Sequence, residues 1–520
     1  MMSQVSTTIL AAESGLRLRF AVPFAVLGGV LNALAFPGLG WWPLIFLGTP
    51  LILLTLVGRR VWPALLVGLL AGFAFWGTHI LWITVYLGPV PWIALAGLEA
   101  IFFALGCLLI ALTWRFGARA FAAPWGRLGL IPVIVAGLWT LRENVSSNWP
   151  YGGFSWGRLA FSQSESPFGG LAAWVGVSGL TFLIAWVSAL IVQVAREPAG
   201  ARRRGRITRI LLPVGLIAAM LVTPAFPVAA DGTLRIAAVQ GDADAGLFAA
   251  YTPGEILRDH ITATAPLSGQ DVDLVVWPEN SADLDPLRNS ASAAALDRVT
   301  ERMRAPLITG TITVDGADFY NSILLWKQGQ GAVAQYDKIH PVPFAEYLPD
   351  RDFWYPLAPG LLSLIPRDYT LGTRSNVLDI DGVAAGIAIC FDIVDDNLIR
   401  QMVAGGANII LAPTNNADFG RTDESVQQLA IARLRAIETG RSVVNASTVG
   451  TSAIIAPDGR TIDRLPTFTP GSMVQDVPLS RTTTLATIAG QGIEWGASAL
   501  GLTGLLLAFF LSQRRRRVRR

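Results

Sequence analysis

Long apolar runs, separated by arginines, are what this 520-residue chain must accommodate before anything else. A helix needs about 20 apolar residues to cross the hydrocarbon core of a bilayer. Runs of that size lie near 19–36, 41–58, 62–86, 91–114, 127–144, 170–194, 207–226 and 491–512. Backbone in lipid must satisfy its own hydrogen bonds, so such runs become helices. The spacing predicts a multi-pass α-helical membrane bundle of about eight spans, the fifth closed by Arg142 and Glu143. The first run lacks a small-residue cleavage site and is expected to stay as an anchor. Composition agrees only when read by region. The chain is 52% hydrophobic and 15% charged, but the apolar runs crowd its two ends and the middle is globular in composition.

The arginines then orient the bundle, because positive charge collects in cytoplasmic loops. Arg17 and Arg19 precede the first run, Arg59 and Arg60 join the second to the third, and Arg115, Arg119 and Arg127 join the fourth to the fifth. Arg196, Arg202, Arg203, Arg204, Arg206 and Arg209 lie between the sixth and seventh, and RRRRVRR closes the chain. All five clusters share one side if both termini are cytoplasmic and eight crossings are made. The loops at 37–40 and 87–90 carry no charge. The expected organisation is a bundle over 1–226, an extracytoplasmic domain over 227–488, and a last span with a basic cytoplasmic tail over 489–520. The net charge of +3 comes largely from these clusters, which read as topology signals and not as a nucleic-acid footprint.

Within the middle region, β-branched and apolar runs appear at LRIAAVQ, VDLVVWPE, PLITGTIT, SILLWK, GVAAGIAIC and ANIILAP, followed by RSVVNAS and TSAIIAPDG. Helical patterns lie between several of them. In ESVQQLAIARLRAIETG the apolar residues recur three and four apart, and Gly440 ends the run. Strands alternating with helices predict an α/β domain whose sheet is covered by helices.

The chain has two cysteines, Cys107 in an apolar run and Cys390 in the globular region, so no disulfide framework is expected. His79, His260 and His340 are scattered, no CxxC occurs, and neither metal nor cofactor is expected.

Only two lysines occur among 40 basic residues, and one is Lys338. A chain that otherwise writes arginine keeps lysine there either by drift or because a compact ammonium on a flexible stem is required. Three segments then stand out: VDLVVWPEN ending at Glu279, YDKIHPVPFAEY with Lys338 and Glu346, and GVAAGIAICFD with Cys390. Reactive groups collect beyond the carboxyl ends of strands in α/β sheets. A thiol is mostly protonated at neutral pH, and a carboxylate can take its proton while an ammonium steadies a developing oxyanion. Taken singly, each residue has a plainer reading. Cys390 can be a small buried hydrophobe, Glu279 a helix amino-terminal residue, Lys338 a solvated loop charge and Glu346 the partner of an arginine.

These three segments resemble the carbon–nitrogen hydrolase (nitrilase) superfamily over about 233–480, with Glu, Lys and Cys in that superfamily's order and spacing. The resemblance implies an αββα sandwich. The flanking runs, and WPYGGFSWGRLAFSQSESPFGGLA at 149–172, narrow it to the apolipoprotein N-acyltransferase family. That resemblance implies Glu279 as general base, Lys338 as oxyanion stabiliser with the Phe391 N–H, Cys390 as nucleophile, and Glu346 as a further required carboxylate. Three departures occur, the first being that the family's tryptophan has no counterpart near Gly241. The family's Cys-Tyr-Glu is Cys390-Phe391-Asp392 here, and Asn-Asp-Ala-Trp-Phe-Gly is Asn415-Asn416-Ala417-Asp418-Phe419-Gly420.

The implied reaction is transfer of an acyl chain from a membrane phospholipid, through a Cys thioester, to the α-amino group of the diacylglyceryl-cysteine of an apolipoprotein. A monomer in the bacterial inner membrane is expected. The aromatic loop 142–169, with Trp149, Tyr151, Phe154, Trp156 and Phe161, is expected at the interface, as a rim of the site or as a plain aromatic belt. Two other classes stay open. A membrane-bound amidase or nitrilase would pass the acyl group to water. A transporter or receptor predicts ionisable residues along several spans, where few are found beyond Glu99 and His79.

Overall fold

A computed structural model describes residues 15–196, 203–246, 249–250, 252–365 and 367–519. Arg202 and Arg520 of the basic clusters lie outside the described residues. The chain forms two compact units: residues up to Ala225 together with those from Ala489 onward, and Phe226–Ile488.

In the first unit a helix coincides with each apolar run: α1 (Leu18–Leu34), α2 (Ile45–Leu56), α3 (Val61–His79), α4 (Pro89–Ala120), α5 (Ile131–Asn148), α6 (Ala172–Arg196), α7 (Arg203–Val222) and a C-terminal helix, Gln491–Arg519. Five segments, Val61–His79, Pro89–Ala120, Gly126–Asn148, Gly169–Arg196 and Gln491–Arg516, are long and apolar enough to cross a membrane. Leu18–Leu34, Trp42–Leu56 and Arg209–Val222 are shorter. The run at 62–86 is not one helix: α3 stops at His79 and a short helix, Ile83–Leu87, follows.

Helix α5 does not stop at Arg142 and Glu143 but continues to Asn148, because both charges are neutralised inside the bundle. Arg142 Nη2 lies 3.3 Å from Glu143 Oε1, and its guanidinium sits over the rings of Phe103 at 4.7 Å and Trp139 at 4.9 Å. Glu143 also accepts from Trp139 Nε1 at 3.0 Å, the Leu159 N–H at 3.1 Å and the Thr181 hydroxyl at 2.9 Å. A second buried pair, Arg158–Glu494 at 3.7 Å, joins the loop after α5 to the C-terminal helix. The aromatic residues of that loop divide between exposed and buried. Trp149 is 63% exposed, but Trp156 and Phe161 are only 3% and 1% exposed. Trp156 packs against Phe154 and Trp82 with ring centroids 6.0 and 5.6 Å away.

The second unit is built on two six-stranded sheets. One runs in the order β12-β1-β2-β3-β4-β5, from β1 (Thr233–Gln240), β2 (Leu274–Val276), β3 (Leu307–Asp315), β4 (Asp318–Lys327), β5 (Gly331–Asp337) and β12 (Gly471–Pro478). The other runs β11-β10-β9-β8-β7-β6, from β6 (Val377–Ile380), β7 (Val383–Ile387), β8 (Ile409–Thr414), β9 (Ser442–Ser447), β10 (Ala453–Ile455) and β11 (Thr461–Arg464). Each has three parallel central strands, β1–β2–β3 and β7–β8–β9, with antiparallel strands outside them.

Period-two alternation gives the central strands of the first sheet two buried faces. Ile236 and Ala238 of β1 join Leu274, Val276 and Ile308 against Ile387, Ile409, Leu411 and Val444 of the second sheet, so the sheets pack face to face. Ala237 and Val239 point the other way, under α8 (Glu255–Thr264) and α9 (Ser290–Met303), where Leu257, Leu296 and Met303 meet Val275 and Trp277. Two further helices, α10 (Asp396–Ala404) and α11 (Glu424–Thr439), pack on β7 and β9. The result is an αββα sandwich. Gly440, with φ +67°, ends α11 where a side chain would be strained.

Candidate active site

Glu279 lies three residues beyond the end of β2. Trp277 anchors the approach, buried and donating its Nε1–H to the Thr264 hydroxyl at 2.9 Å. The turn that follows passes so close to β3 that a Cβ on Gly310 would meet the Glu279 Cα at 2.7 Å, so only glycine fits. Glu279 is 3% exposed and sits in no helix, which removes its reading as a helix amino-terminal residue. Its Oε1 accepts from Asn321 Nδ2 at 2.7 Å and its Oε2 from the Asn415 N–H at 2.8 Å.

Lys338 directly follows β5, and its N–H donates to the Asn321 carbonyl at 2.8 Å, which prolongs the β4–β5 pairing. It is 2% exposed, so it is no solvated loop charge. Its ammonium lies 3.3 Å from Glu279 Oε1 and 2.8 Å from Glu346 Oε2. Among the described residues Glu346 pairs with no arginine. It takes Lys338, the Asn321 amide at 3.0 Å and the Val342 N–H at 2.6 Å.

Cys390 opens a 3-10 turn, Cys390–Val394, three residues after β7 ends, and holds φ at +48°. A non-glycine residue there is uncommon and needs support from its surroundings. Asp392 supplies it: one oxygen accepts from the Ile389 N–H at 3.1 Å and the Tyr336 hydroxyl at 2.8 Å, the other from the His340 N–H at 3.0 Å. One carboxylate thus ties the turn of Cys390 to the strand and loop that carry Lys338. Phe391 is buried, its ring edge-on to His340 at 5.3 Å.

Burial pushes the Cys390 thiol well above its ordinary range, and the neighbouring Glu279 charge adds to this, so the resting sulfur holds its proton. Burial also raises the Glu279 carboxyl, while Lys338 pulls it back. A carboxyl shifted upward is a stronger base. Burial alone would depress the Lys338 ammonium, but the charges of Glu279 and Glu346 outweigh it and hold the amine firmly protonated. Burial lifts Asp392 to about 6.

The fold therefore brings Glu279, Lys338 and Glu346 into one hydrogen-bonded cluster, with Cys390 within electrostatic reach of Glu279 and Lys338. Sequence reasoning misses Asn321, which bridges both carboxylates, and Gln428, whose Nε2 lies 3.5 Å from the Cys390 sulfur. The available signal was a polar residue placed inward: Asn321 before the apolar half of β4, Gln428 on a helix buried nearly throughout.

Comparison with known proteins matches both units. Residues 28–190 fit the apolipoprotein N-acyltransferase N-terminal domain and residues 235–487 fit the carbon–nitrogen hydrolase domain. An apolipoprotein N-acyltransferase of Mycolicibacterium smegmatis is 32% identical, the match covering 93% of this chain and 84% of that protein. The chain belongs to the apolipoprotein N-acyltransferase family. A Pseudomonas aeruginosa member is 30% identical over 95% of this chain and 96% of its own, and a Vibrio cholerae member 28% over 94% and 96%. Among solved structures, an amidase of the nitrilase superfamily from a Nesterenkonia species covers 49% of this chain and 94% of its own, at 20% identity and a TM-score of 0.38. As a member of the apolipoprotein N-acyltransferase family, the protein is a membrane-embedded acyltransferase.

Proposed function

We propose that this acyltransferase N-acylates apolipoproteins in two steps through Cys390, with Glu279 moving the protons and Lys338 holding the oxyanion. In the first step Glu279 takes the thiol proton and the sulfur attacks the ester carbonyl of a membrane phospholipid. The Lys338 ammonium and the Phe391 N–H hold the tetrahedral oxyanion. The ester C–O bond breaks, Glu279 returns the proton to the departing alkoxide, and a lysophospholipid leaves. In the second step the α-amino group of a diacylglyceryl-cysteine attacks the thioester. Its proton passes through Glu279 to the expelled sulfur, and an amide remains.

The observation that carries this reading is the buried ammonium of Lys338 held between two carboxylates, 3.3 Å from buried Glu279 and 2.8 Å from half-buried Glu346. Glu346 with Asn321 aims that ammonium, and Asp392 sustains the strained turn of Cys390. The chain acts as a monomer in this scheme, since every named group belongs to one copy. The arginine clusters support eight crossings, cytoplasmic termini and an extracytoplasmic catalytic domain over 227–488, between the bundle of 1–226 and the last span and tail of 489–520. Both substrates carry lipid, which accounts for a catalytic unit tethered at both ends to membrane helices.

Mass spectrometry of the Cys390 peptide after incubation with phospholipid tests the scheme. An added acyl mass is expected on that cysteine. Acyl transfer proceeding with no adduct at Cys390 would overturn it.

A further inference from the structure

A second line of polar side chains reaches Cys390, separate from the Glu–Lys cluster. Gln428, on α11, is 1% exposed and directs Nε2 at the sulfur from 3.5 Å. Its amide is locked against turning over. The Thr414 hydroxyl donates to its Oε1 at 2.9 Å and Asn416 Nδ2 donates to the same oxygen at 2.8 Å. Both lone pairs of the carbonyl are occupied, which leaves the NH2 to face the thiol.

Asn416 is held in turn. Its Nδ2 donates to Glu424 Oε2 at 2.8 Å, and its Oδ1 accepts from Ser447 Oγ at 2.6 Å. Ser447 Oγ accepts from the Gly450 N–H at 2.9 Å. The Ser447 hydroxyl hydrogen goes to Asn416 Oδ1, and the line runs from Gly450 toward the sulfur. Thr414 ends β8, Ser447 ends β9 and Gln428 lies on the helix packed against β9, so two strands of one sheet hold an amide carried by the helix beside them.

An amide donor offers little to a neutral thiol and much more to a sulfur bearing charge. We propose that Gln428 is a further catalytic residue, an N–H donor oriented by Thr414 and Asn416 that stabilises the Cys390 sulfur whenever it is anionic. It acts as the thiolate forms and again as the thioester expels it. The inference rests on the reading of Cys390 as nucleophile.

The test alkylates the full-length enzyme with iodoacetamide across a pH series and follows the Cys390 peptide by mass spectrometry, which keeps Cys107 apart. Gln428→Met keeps the length and removes the donor. Its Cys390 should react about tenfold more slowly at a given pH, the factor carried by one hydrogen bond to a charged group, with the reactivity profile moved to higher pH. Thr414→Val loosens the amide while Asn416 still holds it and also removes a hydroxyl that itself reaches the Cys390 sulfur, and a loss in the same direction is expected. It serves as the reporter if the Met variant fails to fold. Parent-like alkylation in a folded Gln428→Met protein, or in Thr414→Val where only that variant folds, overturns the proposal. Slower alkylation alongside absence of any acyl adduct on the parent's Cys390 would sink the nucleophile reading and leave the donor assignment standing.

Discussion

Two buried ionic clusters in this protein are built on opposite plans. In the bundle unit, Glu143 meets Arg142, an indole N–H, a backbone N–H and a hydroxyl, and Arg158 meets Glu494. Donors crowd the carboxylate, and it has no role left but to hold segments together. In the αββα unit one ammonium faces two carboxylates, and a thiol stands beside them. That cluster is short of positive charge by design of its residue set, so a proton can move within it. On the proposed function, the difference separates ion pairs that fix shape from ion pairs that wait for a reactant.

Four measurements sharpen or break this contrast. The largest effect is expected from Cys390→Ser, which should reduce acyl transfer from phospholipid to a lipopeptide by at least about a thousandfold while thermal unfolding is unchanged, because a serine hydroxyl ionises far less readily than a thiol. A serine variant near the parent rate would mean the cluster is structural after all. Lys338→Arg should cost about a hundredfold in the same assay, since a planar guanidinium cannot take the place of a point charge between two carboxylates. If arginine serves equally well, the scarcity of lysine in this chain carries no meaning.

Glu143→Ala should show the opposite signature. Removing one partner of a buried pair costs roughly 3–5 kcal/mol, so detergent-solubilised protein should unfold earlier, while turnover per folded molecule persists. The smallest effect concerns Glu424, which burial lifts from 4.5 to about 8. Its folded form prefers the proton, so its contribution to stability is present below about 4.5 and is lost as pH rises through about 8. Glu424→Gln should flatten the fall in unfolding temperature across that window, and an unchanged slope would place the titration elsewhere.

Glu279, Lys338 and Cys390 were legible as candidates because they follow strand-like runs and stand in recognisable short motifs. Their supports were not. Asn321 and Glu279 are 42 residues apart, and Gln428 and Cys390 are 38 apart. Such meetings depend on strand register and on which way a buried helix turns, neither of which a local pattern contains. Trp156 and Phe161 were misplaced for a related reason: aromatic enrichment marks amphipathic surfaces and cores alike, and only packing against Phe154 and Trp82 distinguishes them. The long run at 62–86 concealed a break after His79, since hydropathy records polarity and not helix continuity.

Glu279 and Lys338 are mounted on one sheet of the sandwich and Cys390 on the other. Ile236, Ile308, Ile387 and Leu411 fill the space between those sheets, and Cys390 packs against that same filling. Their bulk acts as a shim. If Glu279 and Cys390 act as proposed, a methylene added or removed in that filling should alter the gap between base and sulfur, and turnover would be tuned from the hydrocarbon interior.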